Sequence, residues 1–118
     1  MTPFGEAIRK LREDRNVTQK QMAIELGVSA AYLSALEHGH RSKPSWQFVQ
    51  RTIGYFNVIW DDAENLMELA GLSDPKITIN TSGLNAKATE VANLLSKSVQ
   101  TLSSEDLDKI RMIIENAK

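Results

Sequence analysis

The sequence has no cysteine and no long apolar run among its 118 residues. Without cysteine there is no disulfide, no catalytic thiol and no cysteine-based zinc site, so we expect a cytosolic protein. No stretch approaches the roughly 18 apolar residues of a membrane span, and Glu6 and Arg9 precede any hydrophobic stretch, which argues against a secretion signal. Aromatic residues are few, at 6%, but the 42% hydrophobic and 25% charged fractions exclude wholesale disorder.

The charged side chains are unevenly distributed along the chain. Residues 1–58 carry eight basic and five acidic side chains, whereas residues 59–118 carry six basic and ten acidic ones. This asymmetry favours an N-terminal part that faces a polyanion and a second part with another role. Ordinary scatter of charge is the alternative.

Capping residues and apolar periodicity predict five short helices in residues 1–71. Their predicted starts are Thr2, Thr18, Ser29, Ser45 and Asp61. Four predicted ends lie near Asn16 and at Gly27, Gly39 and Gly71. In the fourth helix we expect the aromatic residues Trp46, Phe48 and Phe56 to lie in the core and not to stack on bases. Five helices in about seventy residues indicate a compact all-α unit.

Residues 72–118 follow a different pattern. Residues 72–84 read as a linker with a short strand, because residues 76–81 alternate polar and β-branched side chains between turn residues. Two more helices are predicted after Asn85 and Ser103, each with one apolar face. We therefore divide the chain into residues 1–71, the linker 72–84 and a helical segment 85–118.

The most informative stretch is residues 18–39, which read TQKQMAIELGVSAAYLSALEHG. Two short helices flank a tight turn at Gly27, and neither helix is long enough to be stable alone in water. The outer side of the second helix carries small, nearly uncharged residues, so it could enter a groove without steric or electrostatic cost. These residues are Ala30, Ala31, Ser34, Ala35 and His38.

This stretch resembles the helix-turn-helix of the Xre family, to which phage lambda repressor and Cro belong. The matching residues are Thr18, Gln19, Met22, Ala23, Gly27, Val28, Ser29, Leu33, Ser34, Leu36, Glu37 and Gly39. The resemblance extends over residues 4–71 and says nothing about residues 72–118. It implies a five-helix fold of the lambda-repressor type that binds double-stranded DNA.

In that family the second helix of the motif lies in the major groove, where base pairs are distinguishable. The resemblance implies that five residues face bases here: Ser29, Ala30, Ala31, Ser34 and Ala35. Several family members have Gln or Arg where this chain has alanine, and an alanine methyl suits only a thymine methyl. We therefore expect specificity to depend more on the two serines, on DNA shape and on half-site spacing.

The resemblance also implies contacts to the DNA backbone. Gln19 would bind a phosphate at the positive end of the first motif helix. Tyr32 and His38 match positions that touch the sugar-phosphate backbone, although Tyr32 could instead pack on the domain. Arg41 and Lys43 would follow the backbone or reach an adjacent minor groove. The implied backbone contacts are Thr18, Gln19, Lys20, Tyr32, His38, Arg41 and Lys43, with Thr18 first of all a helix cap.

Other candidate residues have simpler interpretations. Arg12 and Glu37 match family positions that form a partly buried ion pair, so we expect a structural role for Arg12. Lys10 and Arg15 are expected to be solvated. The two histidines, His38 and His40, stand without cysteine or clustered carboxylates, so we expect no metal site. No catalytic set stands in a recognisable context, and we expect neither a cofactor nor enzymatic activity.

The sequence thus predicts a dimeric, sequence-specific regulator of transcription that occupies a palindromic operator, with repression as the expected effect and activation as the alternative. One helix in one groove binds weakly, so residues 72–118 are expected to form a homodimer, with Ile77 and Ile79 pairing as strands and the last helices packing together. These residues could alternatively fold back on their own domain. Two other functions stay open: an antitoxin that covers a toxin partner with residues 72–118, or a helical adaptor that has lost DNA binding.

Overall fold

The computed structural model describes residues 1–117 and shows seven α-helices and no β-strand in them. The helices are α1 (Pro3–Arg15), α2 (Gln19–Leu26), α3 (Ala30–Glu37), α4 (Trp46–Phe56), α5 (Trp60–Gly71), α6 (Ala86–Ser98) and α7 (Ser104–Asn116). A 3-10 turn, Val99–Thr101, follows α6. Over residues 1–117 we find no helix with the length and apolar character of a membrane span. The predicted all-α class is confirmed.

Local capping determines where most of these helices begin. At six of the seven helices within residues 1–117, the N-cap side chain accepts a backbone N–H from the first turn. Helix α5 is the exception: its N-cap is Ile59, which makes no side-chain cap bond. The predicted start at Asp61 is wrong, since the helix begins at Trp60, whose φ is +56°. Asp61 lies in the first turn, where its negative charge interacts favourably with the positive end of the helix dipole.

The predicted strand at residues 76–81 is also wrong. Residues 77–81 have no regular secondary structure, and Ile77 and Ile79 are 72% and 55% exposed. Asp74 and Asn80 accept the backbone N–H groups of residues 76 and 82 at 3.1 and 2.9 Å, which is typical of turns. An alternating pattern forms a strand only where a second strand pairs with it, and residues 1–117 contain none.

The chain divides into two compact units, and the first, Met1–Ile77, has a continuous apolar core. Helices α1 to α5 contribute the buried apolar side chains that form this core. They are Phe4, Ile8, Met22, Ala23, Leu26, Leu33, Leu36, Phe48, Val49, Phe56, Leu66 and Ala70. Burial of this set supplies the main stabilisation of the unit.

Helix α4 packs on the core through Phe48 and Phe56, as expected, but not through Trp46. Trp46, expected inside, is 64% exposed, so that expectation is wrong. The buried positions of the helix are Phe48, Val49, Thr52 and Phe56. Thr52 is accommodated there because its hydroxyl donates to the Phe48 carbonyl at 2.9 Å. Trp46 is the first helical residue, outside the face that these four positions share.

Ser73, which follows α5, is hydrogen-bonded to the first turn of α1. Ser73 is 3% exposed. Its hydroxyl accepts the Phe4 N–H at 2.9 Å and donates to the Leu69 carbonyl at 2.6 Å. Ser73→Ala removes both bonds and leaves a buried N–H without a partner, so we expect a loss of about 1–3 kcal/mol in the free energy of unfolding. Urea titration measures it, with exposed Ser42→Ala as the control; equal midpoints for the two variants would contradict the prediction.

Residues 78–117 of the second unit contain no buried side chain. Helix α6 exposes Val91 and Leu94 by 56% and 57%, and α7 exposes Ile113 and Ile114 by 70% and 66%. Two amphipathic helices therefore stand here without a core of their own.

Candidate nucleic-acid interface

The turn between α2 and α3 depends on one glycine. Gly27 ends α2 in the left-handed region with a φ of +71°, where a Cβ would be strained. The next residue, Val28, donates its N–H to the Ala23 carbonyl at 3.0 Å, which closes the turn. Ser29 then accepts the Tyr32 N–H at 3.0 Å and starts α3. The two helices are thus joined by three residues in a defined geometry.

Helix α3 presents its small side chains outward. Leu33, Leu36 and Glu37 are buried and hold the helix on the domain. The predicted base-facing residues lie on the other side: Ser29, Ala30 and Ala31 are exposed, and Ser34 and Ala35 are half-buried. The only acidic residue of α3 is Glu37, which is 1% exposed. The outward face is therefore small, uncharged and free of carboxylates.

Glu37 is held by a buried ion pair with Arg12. The Arg12 guanidinium contacts the carboxylate in a bidentate arrangement, with Nη1–Oε2 and Nη2–Oε1 distances of 2.5 and 3.0 Å. Gln19 joins the pair, since its Nε2 donates to Glu37 Oε1 at 3.3 Å. A primary amide has two hydrogens, and no hydrogen bond found within residues 1–117 uses the second one. The pair gives Arg12 the structural role that was expected.

Tyr32 lies in a row of aromatic side chains that leads from the core to the surface. The Phe4 and Phe48 rings meet edge to face at 6.4 Å, and the Tyr32 ring meets Phe48 in the same way at 6.3 Å. At the outer end, the Arg41 guanidinium carbon lies 5.4 Å from the centre of the Tyr32 ring. Tyr32 therefore packs on the domain and also supports a cation at the surface.

The other predicted backbone contacts differ in their local hydrogen bonding and exposure. Thr18 forms the predicted capping box with Gln21, with N–H···O distances of 2.8 and 3.0 Å. His38 Nδ1 lies 2.9 Å from the Ser34 carbonyl. A carbonyl only accepts, so Nδ1 donates, and no hydrogen bond found within residues 1–117 engages Nε2. Lys20 and Lys43 are exposed. No ion pair within residues 1–117 engages either lysine.

Two other arginines have structural roles that the sequence did not indicate. Arg15 is exposed, as expected, and its guanidinium also donates to the Phe56 carbonyl at the end of α4. Arg51 donates to the Leu26 carbonyl at the end of α2 at 2.8 Å. Both cations satisfy carbonyls that a helix end leaves without partners. The local sequence does not predict these contacts, because the partners lie 41 and 25 residues away along the chain.

These features define a helix-turn-helix domain: two short helices at a glycine turn, held by three flanking helices, with the second helix presenting a smooth outer face. A family model described as a helix-turn-helix domain matches residues 3–66, more than half of the chain. The chain belongs to this family. Together with the relatives described next, this match confirms that residues 4–71 resemble a helix-turn-helix regulator.

Three proteins of Bacillus subtilis (strain 168) are similar to this chain. The uncharacterized HTH-type transcriptional regulator RghRB is 37% identical over 71 residues, which are 60% of this chain and 49% of that protein. The HTH-type transcriptional repressor RghR is 38% identical over 71 residues, 60% and 50% of the two chains. The HTH-type transcriptional regulator SlrR is 36% identical over 67 residues, 54% and 44% of the two chains. The match thus spans about half of each relative's length, and no solved structure matches significantly.

Proposed function

We propose that this protein is a sequence-specific DNA-binding regulator of transcription, a repressor that occupies a palindromic operator as a homodimer. The observation that carries the proposal is the outward face of α3, which exposes small uncharged side chains while its one carboxylate, Glu37, is buried against Arg12. A helix with such a face fits into the major groove. The names of the similar proteins, two regulators and a repressor, support the same function.

The proposed contacts divide into two groups. Ser29 and Ser34 would hydrogen-bond base edges, while the alanine methyl groups of α3 would pack against thymine methyls. Around α3, Gln19, Lys20 and Lys43 would bind phosphates. Thr18, His38 and Arg41 would contact the sugar-phosphate backbone, with Tyr32 beside Arg41. Phosphate contacts would position the helix, and the few base contacts would leave much of the specificity to DNA shape.

Substitution of Ala31 by a bulky residue tests the groove assignment. Ala31 is exposed on α3, and an indole there would prevent the helix from approaching the bases. We expect Ala31→Trp to weaken binding to a genomic fragment selected by the wild type by at least about tenfold. Fluorescence anisotropy measures the affinity, and Asn65→Trp, an exposed neutral position on α5, is the matched control. Equal affinity of Ala31→Trp and the wild type would overturn the assignment of α3 to the groove.

Homodimerisation is proposed to use residues 72–118, through α6 and α7 and not through a strand. The apolar residues Val91 and Leu94 of α6, and Ile113 and Ile114 of α7, are all more than half exposed. A second copy would bury these faces and bring two α3 helices to successive major grooves, about 34 Å apart. Two half-sites also supply the affinity that a single motif lacks.

A charge within the apolar face of α6 should separate the two copies. We expect Leu94→Asp to convert a dimer into a monomer in sedimentation velocity and to weaken binding to the selected fragment by about tenfold or more, because one motif then binds alone. Ser96→Asp adds the same charge two residues away, on the other side of the helix, and should leave both properties unchanged. A monomeric wild type would contradict the dimer, and co-purification of a small basic protein with it would favour the antitoxin.

The most direct test of the function is selection of genomic fragments by the wild-type protein, followed by footprinting. We expect protection of two related half-sites about one helical turn apart, and repression of a reporter placed behind the site. Absence of any bound fragment at low salt would contradict the proposed function and favour the adaptor.

A further inference from the structure

We propose that Tyr32 is a positioning residue that holds the Arg41 guanidinium beside α3 for contact with DNA. The Arg41 Cζ lies 5.4 Å from the centre of the Tyr32 ring, within the range of a cation–π contact. This inference rests on the proposed function, because it assigns Tyr32 an indirect part in DNA binding. Tyr32 thus acts through Arg41 and not through its own hydroxyl.

Arg41 needs such support because of its place in the chain. It lies between α3 and α4, in a segment without regular secondary structure that contains Gly39 with a φ of +80°. No ion pair within the described residues holds its guanidinium. A long exposed side chain loses rotamer freedom when it binds a ligand, and a preformed stack reduces that loss. Stacking also leaves the N–H groups at the guanidinium edge free to donate to phosphate or base edges.

Tyr32 is itself well anchored. Its backbone N–H donates to Ser29 Oγ at 3.0 Å, and its ring meets the edge of Phe48, which is 2% exposed. The ring is therefore part of the row that begins in the core at Phe4. Since α3 carries Tyr32, the stack fixes Arg41 relative to the helix proposed to read the bases.

The stack itself is tested on the full chain without DNA. Aromatic ring currents shift protons that lie over a ring face, so we expect the Arg41 side-chain methylene protons to resonate upfield of the values for a solvated arginine. Tyr32→Phe should preserve the shift and Tyr32→Leu should abolish it. Ordinary shifts in the wild type would overturn the inference, whether or not the leucine variant folds.

The consequence for binding is tested by a double-mutant cycle, with a labelled mixed-sequence duplex of about 30 base pairs, long enough for two half-sites. We expect Arg41→Gln to weaken binding and to lower the salt slope by about one. Tyr32→Leu should weaken binding about two- to fivefold in the wild type and not at all in the Arg41→Gln background. Tyr32→Phe should bind as the wild type does.

Lys43→Gln is the matched control, since Lys43 is exposed on the same segment and has no aromatic partner within residues 1–117. Its effect should simply multiply with that of Tyr32→Leu. The inference would be overturned if Tyr32→Leu lowered the affinity equally with and without Arg41, or if Tyr32→Phe lowered it as much as Tyr32→Leu. Either result would leave the proposed function standing. A wild type that binds no duplex at low salt would overturn the proposed function and this inference together.

Discussion

Replacement of Arg12 by methionine should lower the free energy of unfolding by about 3–5 kcal/mol, the usual cost of removing one partner from a buried ion pair. Glu37 is 1% exposed and Arg12 is 7% exposed, so the remaining carboxylate would lie in the interior without its cation. Gln19 offers it only one N–H donor, at 3.3 Å. Urea or guanidinium unfolding followed by circular dichroism measures the loss.

Two further variants test whether the loss of stability comes from the unpaired Glu37 carboxylate. Arg12→Met combined with Glu37→Met removes both charges, and we expect it to recover most of the lost stability, because apolar residues of similar volume replace a buried pair at little cost. Arg9→Met breaks the exposed pair of Arg9 with Glu13 on the same helix, and it should change stability by less than about 1 kcal/mol. Equal losses for Arg12→Met and Arg9→Met would contradict the prediction.

Substitution of Gly5 by alanine should also destabilise the protein severely, by about 3 kcal/mol or more, since the new methyl group has no space. A Cβ at Gly5 would lie 2.3 Å from the Glu37 carbonyl oxygen and 2.8 Å from its Cα. Backbone atoms cannot rotate away as the end of a side chain can, so α1 and α3 would have to separate. Thermal and chemical unfolding of the variant measures the effect.

Gly54 is the matched control for this substitution. It lies inside α4 and is exposed, and a Cβ at this position would have no neighbouring atom within 4 Å. Gly54→Ala should therefore stabilise the protein by about 0.5–1 kcal/mol, the gain expected for alanine over glycine within a helix. A Gly5→Ala variant as stable as Gly54→Ala would show that α1 does not approach α3 as closely as the structure has it.

Both large effects concern one place, the end of α3. Arg12 binds the Glu37 side chain, Gly5 allows contact with its backbone, and the Thr2 N–H donates to its carbonyl at 2.9 Å. Helix α1 thus holds the C-terminal end of the helix that is proposed to enter the groove. Variants at these positions that remain folded should lose affinity for the operator as well as stability, since the orientation of α3 would change.

Much of unit 1 could be predicted because its signals are local. A capping side chain reaches an N–H only three residues away, as Thr18 and Ser29 do, and Gly27 supplies the left-handed turn at its own position. The outward face of α3 followed from helical periodicity, because Leu33 and Leu36 had to face the core. These features need no knowledge of the rest of the chain.

Tertiary structure alone decided where the long-range partners lie. Phe4 and Ser73, which form a hydrogen bond, are 69 positions apart, and Arg15 and Phe56 are 41 positions apart. No pattern in the sequence pairs these residues. Residues 76–81 have the alternation of a strand but no neighbouring edge to pair with, and Trp46 has the spacing of a core residue but lies beyond the face that packs. A helix or turn is determined by nearby atoms, whereas burial and pairing depend on which distant segment fills the adjoining space.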